Sequence, residues 1–438
     1  MAGRLSPPRD PVAITLDGDR VVAERGEPVA AALIAAGKLT LARSPKFHRP
    51  RGPACMRGAC DGCLARVDGV PNVMTCLIPA AEGLVVTSQN TLGGRELDLL
   101  RMTDWFFPDG MNHHELFAGV PGVQSAMQLF ARRVAGLGRL PDAMRSPSRA
   151  RRRELDVLVV GAGAAGMAMA TAAAAKGHAV EVVDDGLALG GGTRGLSRSD
   201  DAGLTAIRDR FDRSVKEGRV VVRSRTVAAG FFGRELLVVS EEGAGGTEVL
   251  EPASVVIAVG AHDGVIPFEN NDLPGVMSAR AACLLTALGV SLGRRAVLLA
   301  APGPRAAGEL AFGDAFERAM AADPKARVTR VTDVVRAKGG LQVKAVVVRE
   351  DGRERSLPAD VLVVDAPRAP AYELCEQAGA RLAHSSAGYV PRLDRGRIAE
   401  GVWAIGEVTG ALLVAAPFVA AADEIASQLS PPRARRTA

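Results

Sequence analysis

The chain has 438 residues, 47% of them hydrophobic and 24% charged, a composition that suits two or three packed domains and excludes a largely disordered or fibrous protein. Its 54 Lys and Arg against 49 Asp and Glu leave a net charge of +5, too dilute over this length for a dedicated nucleic-acid binder. No apolar run reaches the ~20 residues of a transmembrane helix. The opening MAGRLSPPRDP has no apolar stretch of the secretory type, so a cytoplasmic, reducing location is expected.

In chain order, residues 1–11 are expected to be a flexible leader. From Val12 to about Gln89 come two alternating runs (VAITL, RVVAE), an Ala-rich helix near Pro28–Ala36, a Cys-bearing loop, and strands around LARVDG and GLVVTS. This predicts a compact β-rich domain over 12–90 with one helix packed on it. Residues 91–153 are expected to form a connecting segment containing WFFPDG and ending in the basic run Ser148–Arg153, a solvated linker. The tail at 431–438, PPRARRTA, is expected to behave in the same way.

Four of the six Cys lie in the first domain: Cys55, Cys60, Cys63 and Cys76. A disulfide framework would spread its cysteines and needs an oxidising compartment, so this cluster points to metal. The spacing C-x4-C-x2-C-x12-C matches, in its first three members, a plant-type 2Fe-2S loop. Three thiolates from one curled loop and a fourth from the next strand can enclose two irons. Gly58 and Gly62 would let backbone N–H groups turn toward the sulfurs. Zinc is the alternative for four Cys; zinc loops more often use two C-x2-C knuckles, and one occurs here.

At Leu155 the pattern changes to buried strand, Gly-rich turn, Ala-rich helix and second strand. Gly161, Gly163 and Gly166 form G-x-G-x-x-G directly after DVLVV. The first Gly makes the turn, the second admits a pyrophosphate and the third lets helix and strand pack closely. Helix N-terminal amides then favour the diphosphate charge. Asp184 ends the second strand and is the expected ribose-binding carboxylate, with Asp185 as the fallback. GLALGGGTRG at 186–195, containing Gly191 and Arg194, the strand end at Gly260, and GVWAIGEVTG at 401–410, with Gly406 and Glu407, complete a two-dinucleotide-binding flavoprotein pattern that calls for FAD. Val259 stands where Thr is usual and Glu407 where Asp is usual.

A second strand–turn–helix–strand unit begins at Ala296. Its turn, Ala301–Ala306, keeps one Gly, and Pro304 removes an amide. Asp333 could serve as a ribose acid, yet NAD(P) binding is not expected. The predicted boundaries are 154–275 for the first part of the FAD-binding domain, 276–370 for an inserted, degenerate NAD-like domain and 371–430 for the second FAD part. The fold class is α/β with an N-terminal α+β domain, a β-grasp 2Fe-2S ferredoxin-like domain followed by a Rossmann-like flavoprotein fold.

None of His48, His113, His114, His178, His262 and His384 forms a metal spacing. Cys283 and Cys375 lack a C-x-x-C partner and are expected to be buried small hydrophobes. No catalytic side chain is nominated.

SPKFHRPRG at 44–52 followed by the four Cys resembles the ferredoxin-like domain of hydrogen cyanide synthase and hydroxyproline dehydrogenase small subunits. ARRVAGLGRLPD at 131–142, VLVVGAGAAGMA, and IPFENNDLPGVM at 266–277 resemble the alpha subunit of heterotetrameric sarcosine oxidase. The resemblance implies an FAD and 2Fe-2S electron-transfer subunit of a sarcosine, proline, hydroxyproline or opine dehydrogenase or oxidase. Its partner would be a flavin subunit of the D-amino-acid-oxidase type, where the CH–NH donor is oxidised. Typical sarcosine oxidase alpha subunits lose the cluster cysteines and carry a folate-binding domain. This sequence keeps all four Cys and ends at residue 438, so a folate role is not expected. The alternatives are a self-sufficient NAD(P)H-dependent flavin and iron-sulfur reductase, and a non-catalytic assembly subunit that has lost its flavin.

Overall fold

Alternation in the first 90 residues is realised as one five-stranded sheet, in spatial order Asp19–Glu24, Pro11–Leu16, Val85–Thr87, Leu64–Val67, Val70–Met74. Pro11–Leu16 runs antiparallel to Asp19–Glu24 and parallel to Val85–Thr87. In Pro11–Leu16 every second residue is buried, because successive side chains face opposite sides of a strand. The helix Val29–Ala35, in which all but the last residue are buried, supplies much of the core. The computed structural model describes residues 3–44, 47–91, 94–98, 101–102, 122–123, 125–126, 129, 149–240, 246–301 and 310–431. WFFPDG, ARRVAGLGRLPD, His113, His114, Pro304 and 432–438 lie outside them.

Two compact units divide the chain. One takes Met1–Arg145, Ile266–Ala300 and Phe316–Val364; the other takes Ser146–Val265, Ala301–Ala315 and Asp365–Ala438. The first unit joins the five-stranded sheet to a second, parallel sheet in the order Val276–Ser278, Val361–Asp365, Arg295–Ala300, Arg327–Val331. An antiparallel meander, Val334–Gly339, Val343–Glu350 and Arg353–Pro358, accompanies it.

In the second unit, Gly246–Ile257 is the organising strand. It pairs in parallel with Arg151–Val160 along one edge. Its other edge pairs antiparallel with Glu235–Ser240 in the first half and parallel with Val402–Ala404 in the second. Val180–Val183 and Val220–Arg223 extend the parallel part, and Thr226–Phe232 the antiparallel part. Continuous burial of Asp156–Val160, Val180–Val183 and Ser254–Ile257 follows from a parallel sheet covered on both faces: the helix Ala164–Ala175 packs against it, and Leu158, Val160, Val183, Val255 and Ile257 pack with Leu236, Val238 and Cys375. The parallel sheet and meander thus occur in both units, as the repeat in the sequence suggested. Among the described residues no helix is long and apolar enough to cross a membrane.

Three expectations change. Gly3–Arg4, placed in a loose leader, pairs with Val290–Ser291. Arg151–Arg153, placed in the linker, begin a strand. Their charges are matched by acids on neighbouring strands: Arg152 meets Glu235 and Glu251, and Arg153 meets Glu181 and Glu248. Finally, the chain passes between units at 265/266 rather than 275/276. The segment Ile266–Gly275 packs with the inserted sheet, where Leu362 N donates to Gly275 O at 2.9 Å.

Candidate functional site

The cysteine loop follows a small hairpin, Ala42–Arg43 with Pro50–Arg51, and leads into the strand Leu64–Val67. Cys55, Cys63 and Cys76 are buried and Cys60 is half-buried. The four thiols stand as two pairs. Donation from the Cys55 thiol holds Cys60 below the ordinary thiol range, and the same bond, with burial, pushes Cys55 up. Cys76 donates to Cys63 with the same pair of consequences. The fourth cysteine sits on a short 3-10 turn, Thr75–Leu77, after a strand that the sequence pattern did not show. Thr75 fixes that turn by donating Oγ1 to Cys63 O at 2.8 Å.

Amides surround the sulfurs. Those of Arg57 and Ala59 approach Cys55 Sγ at 3.4 and 3.3 Å; those of Gly62 and Gly58 face Cys60 and Cys76. Gly62 admits no side chain, since a Cβ there would fall 2.0 Å from Gly52 O. Amide donors favour the anionic sulfur of a metal-bound thiolate. Among the described residues, no three His, Cys, Asp or Glu converge as ligands of a single ion. A loop that supplies Cys55, Cys60 and Cys63, with Cys76 on the turn after the next strand, offers the four thiolates that a 2Fe-2S cluster takes, two for each iron.

The dinucleotide cradle lies in the other unit. The strand Arg151–Val160 ends at Gly161, whose φ of 101° suits glycine alone, and the helix Ala164–Ala175 begins after Gly163. A Cβ on Gly166 would meet Gly161 O at 1.9 Å, so helix and strand touch through it. A Cβ on Gly163 would enter open space, directly beside the first-turn amides that have no intrahelical acceptor. Gly191, on the 3-10 turn Gly191–Gly195 with Arg194, crosses close by: its added Cβ would be 3.1 Å from Gly163 Cα. The turn at Gly406 closes on the same helix, since its Cβ would meet Ala165 Cβ at 2.5 Å. This open space, rimmed by glycines and helix amides, fits a diphosphate.

Both expected acids have partners within the chain. Asp184 Oδ2 accepts from Ala162 N at 2.6 Å and its Oδ1 from Gly186 N at 2.9 Å; the carboxylate ties the glycine turn to the loop after the second strand. Asp185 is the exposed member of the pair. Glu407, on the 3-10 turn Gly406–Thr409, is ion-paired with Arg368 at 2.5 Å, and both side chains are largely buried. The Arg368 guanidinium also stacks over Phe312, 5.4 Å from the ring centroid. No sequence motif marks Arg368. Gly260, with φ of 78°, accepts from Ala371 N at 3.1 Å, and a Cβ on it would again meet open space.

Other polar candidates have structural partners. His48 Nδ1 bonds Asp98 at 2.8 Å, His178 Nδ1 bonds Asp156 at 3.1 Å, and His262 bonds Glu373 at 3.2 Å. Asp333 pairs with Arg349 at 3.4 Å on the surface. Cys283 and Cys375 are buried, and burial pushes the Cys375 thiol up to about 12, as for an inert core residue.

Residues 9–91 match the 2Fe-2S iron-sulfur cluster binding domain, and residues 155–287 match the pyridine nucleotide-disulphide oxidoreductase family. The chain carries both domains, those of a 2Fe-2S flavoprotein oxidoreductase. Over 394 residues it is 28% identical to the sarcosine oxidase subunit alpha of Rhizobium meliloti (strain 1021), a match covering 81% of this chain and 39% of that one. The chain therefore spans well under half the length of this curated relative. Its fold is similar to that of L-proline dehydrogenase from P. horikoshii, with a TM-score of 0.70, 20% identity, and coverage of 96% of this chain and 72% of that one.

Proposed function

We propose that this chain is the electron-transfer subunit of a heteromeric amino-acid or secondary-amine dehydrogenase or oxidase. The observation that carries the reading is the presence, in one chain, of a paired-cysteine loop and a glycine cradle for a dinucleotide. When bound, FAD exchanges two electrons and a 2Fe-2S cluster one, so together they divide a two-electron input into single steps. Cys55 and Cys60 would hold one iron, Cys63 and Cys76 the other, with amides of Arg57, Gly58, Ala59 and Gly62 donating to the sulfurs. Gly161, Gly163, Gly166 and Gly191 would admit the diphosphate of FAD, and Gly260 and Gly406 would let the backbone approach it.

Asp185 takes the ribose in this reading, because Asp184 is committed to the backbone at Ala162 and Gly186. Arg194 lies on the turn that crosses the cradle and would contact the cofactor there. Glu407 acts with Arg368 as a neutral pair behind the Gly406 turn. Among the described residues no side chain in either site is arranged as a general base, and the reading places oxidation of the CH–NH donor in a partner subunit of the D-amino-acid-oxidase type. The similarity to sarcosine oxidase subunit alpha supports this substrate class.

The test is co-purification with native partners, followed by a screen of sarcosine, proline, hydroxyproline and opines against an artificial electron acceptor. The intact complex should reduce the acceptor with at least one of them. If none supports reduction above the substrate-free rate, the assigned substrate class is wrong.

A further inference from the structure

The nucleotide-type sheet of the first unit has a second task in the geometry around the cysteine loop. Arg51, at the end of the hairpin that leads into the loop, pairs with Asp272 through Nη1 and Oδ2 at 2.7 Å. Gly52 follows with no room for a side chain: its Cβ would lie 2.5 Å from Leu39 O and 2.9 Å from Pro274 Cβ. Gly52 O in turn lies against Gly62, whose added Cβ would be only 3.7 Å from Cys60 Sγ. The Gly52 peptide is therefore wedged between Pro274 and the Cys60–Cys63 turn.

Two residues further on, Ser278 N donates to Ala54 O at 3.0 Å. The peptide that carries this carbonyl presents its other end, the Cys55 N–H, to Cys60. Ser278 N–H thus holds the Ala54–Cys55 peptide at the start of the cysteine loop. The attachment is repeated elsewhere: Leu5 N donates to Gly289 O at 2.8 Å, and Thr40 Oγ1 to Leu341 O at 2.8 Å.

We propose that the segment Asp272–Ser278 is the outer shell of the iron-sulfur site, clamping the cysteine loop and setting its electrostatics through the Arg51–Asp272 pair. This rests on the assignment of the four cysteines above, and it gives the degenerate nucleotide unit a role that needs no nucleotide. Arg51 and Asp272 are positioning residues. Their side chains are 28% and 24% exposed, so solvent only partly screens the charge left when one partner is neutralised. Reduction adds negative charge, so an unmatched cation beside the loop favours the reduced form and an unmatched anion opposes it.

The test is an EPR-monitored redox titration of the full chain with its native partners, for wild type, Asp272→Asn, Arg51→Gln, the double variant and Arg51→Lys. The midpoint potential of the cluster should rise in Asp272→Asn and fall in Arg51→Gln. It should return toward wild type in the double variant and in Arg51→Lys, which keeps the charge. Loss of an outer-shell partner should also speed chelator-driven iron release by about tenfold in Asp272→Asn. A contact that matters only for folding would lower the melting temperature and leave the potential unmoved; that result overturns the clamp alone. A wild-type chain with no 2Fe-2S signal overturns the clamp together with the cysteine assignment.

Discussion

Asp184 and Asp185 show what one position along a strand decides. Both follow the strand Val180–Val183, and spacing from the glycines pointed to Asp184 as the ribose acid, with Asp185 as the fallback. The separation comes from alternation: neighbouring side chains leave an extended strand on opposite faces, so one Asp turns to the glycine loop and the other outward. We predict that Asp185→Asn lowers FAD affinity about tenfold, equivalent to about 1.4 kcal/mol, with an unchanged melting temperature. Asp184→Asn should instead lower folding stability by about 1–3 kcal/mol, because two amides lose a charged acceptor. Fluorescence titration with FAD and urea unfolding of both variants measure the two effects; the reverse pattern would return the ribose to Asp184. Glu407 was recognisable as the acid of its turn, but its partner Arg368 stands 39 positions away in a stretch with no motif. An ion pair between remote segments leaves no periodic trace in a sequence.

The strand–turn–helix that forms the cradle was legible because its glycines have separate physical duties. Gly166→Ala should cost about 3 kcal/mol of stability, since a methyl would meet the Gly161 carbonyl and force the helix off the strand. Gly163→Ala should fold almost as wild type yet retain less FAD, because its methyl projects into open space where a diphosphate would lie. Thermal melts and flavin content after purification compare the two; equal flavin loss with equal destabilisation would remove the distinction. Strands that alternate, such as Pro11–Leu16, were also readable. Val70–Met74 was not, since Pro71 and Asn72 interrupt the β pattern. The run Arg151–Arg153 read as a tether because charge usually marks solvent. Its place in a strand depends on Glu181, Glu235, Glu248 and Glu251, acids brought alongside only by the folded sheet.

Across the chain, two cofactor domains and the repeated nucleotide-type architecture could be read from motif spacing, while the grouping of the parts could not. The cysteine domain and the inserted sheet form one unit through contacts such as Arg51–Asp272, separated by 221 positions, and no local pattern reports such a pair. That grouping ties the electron-transfer reading to a loop held in place by the inserted segment. The most direct measurement is freeze-quench EPR, with parallel optical recording, on the intact complex under anaerobic conditions. An amine substrate identified by the acceptor screen is mixed in one experiment and NADH alone in the other. The account predicts that the amine bleaches the flavin and brings up the reduced 2Fe-2S signal within one turnover, and that NADH produces neither. Reduction by NADH alone, or flavin bleaching by the amine with a cluster that stays oxidised throughout turnover, would contradict it.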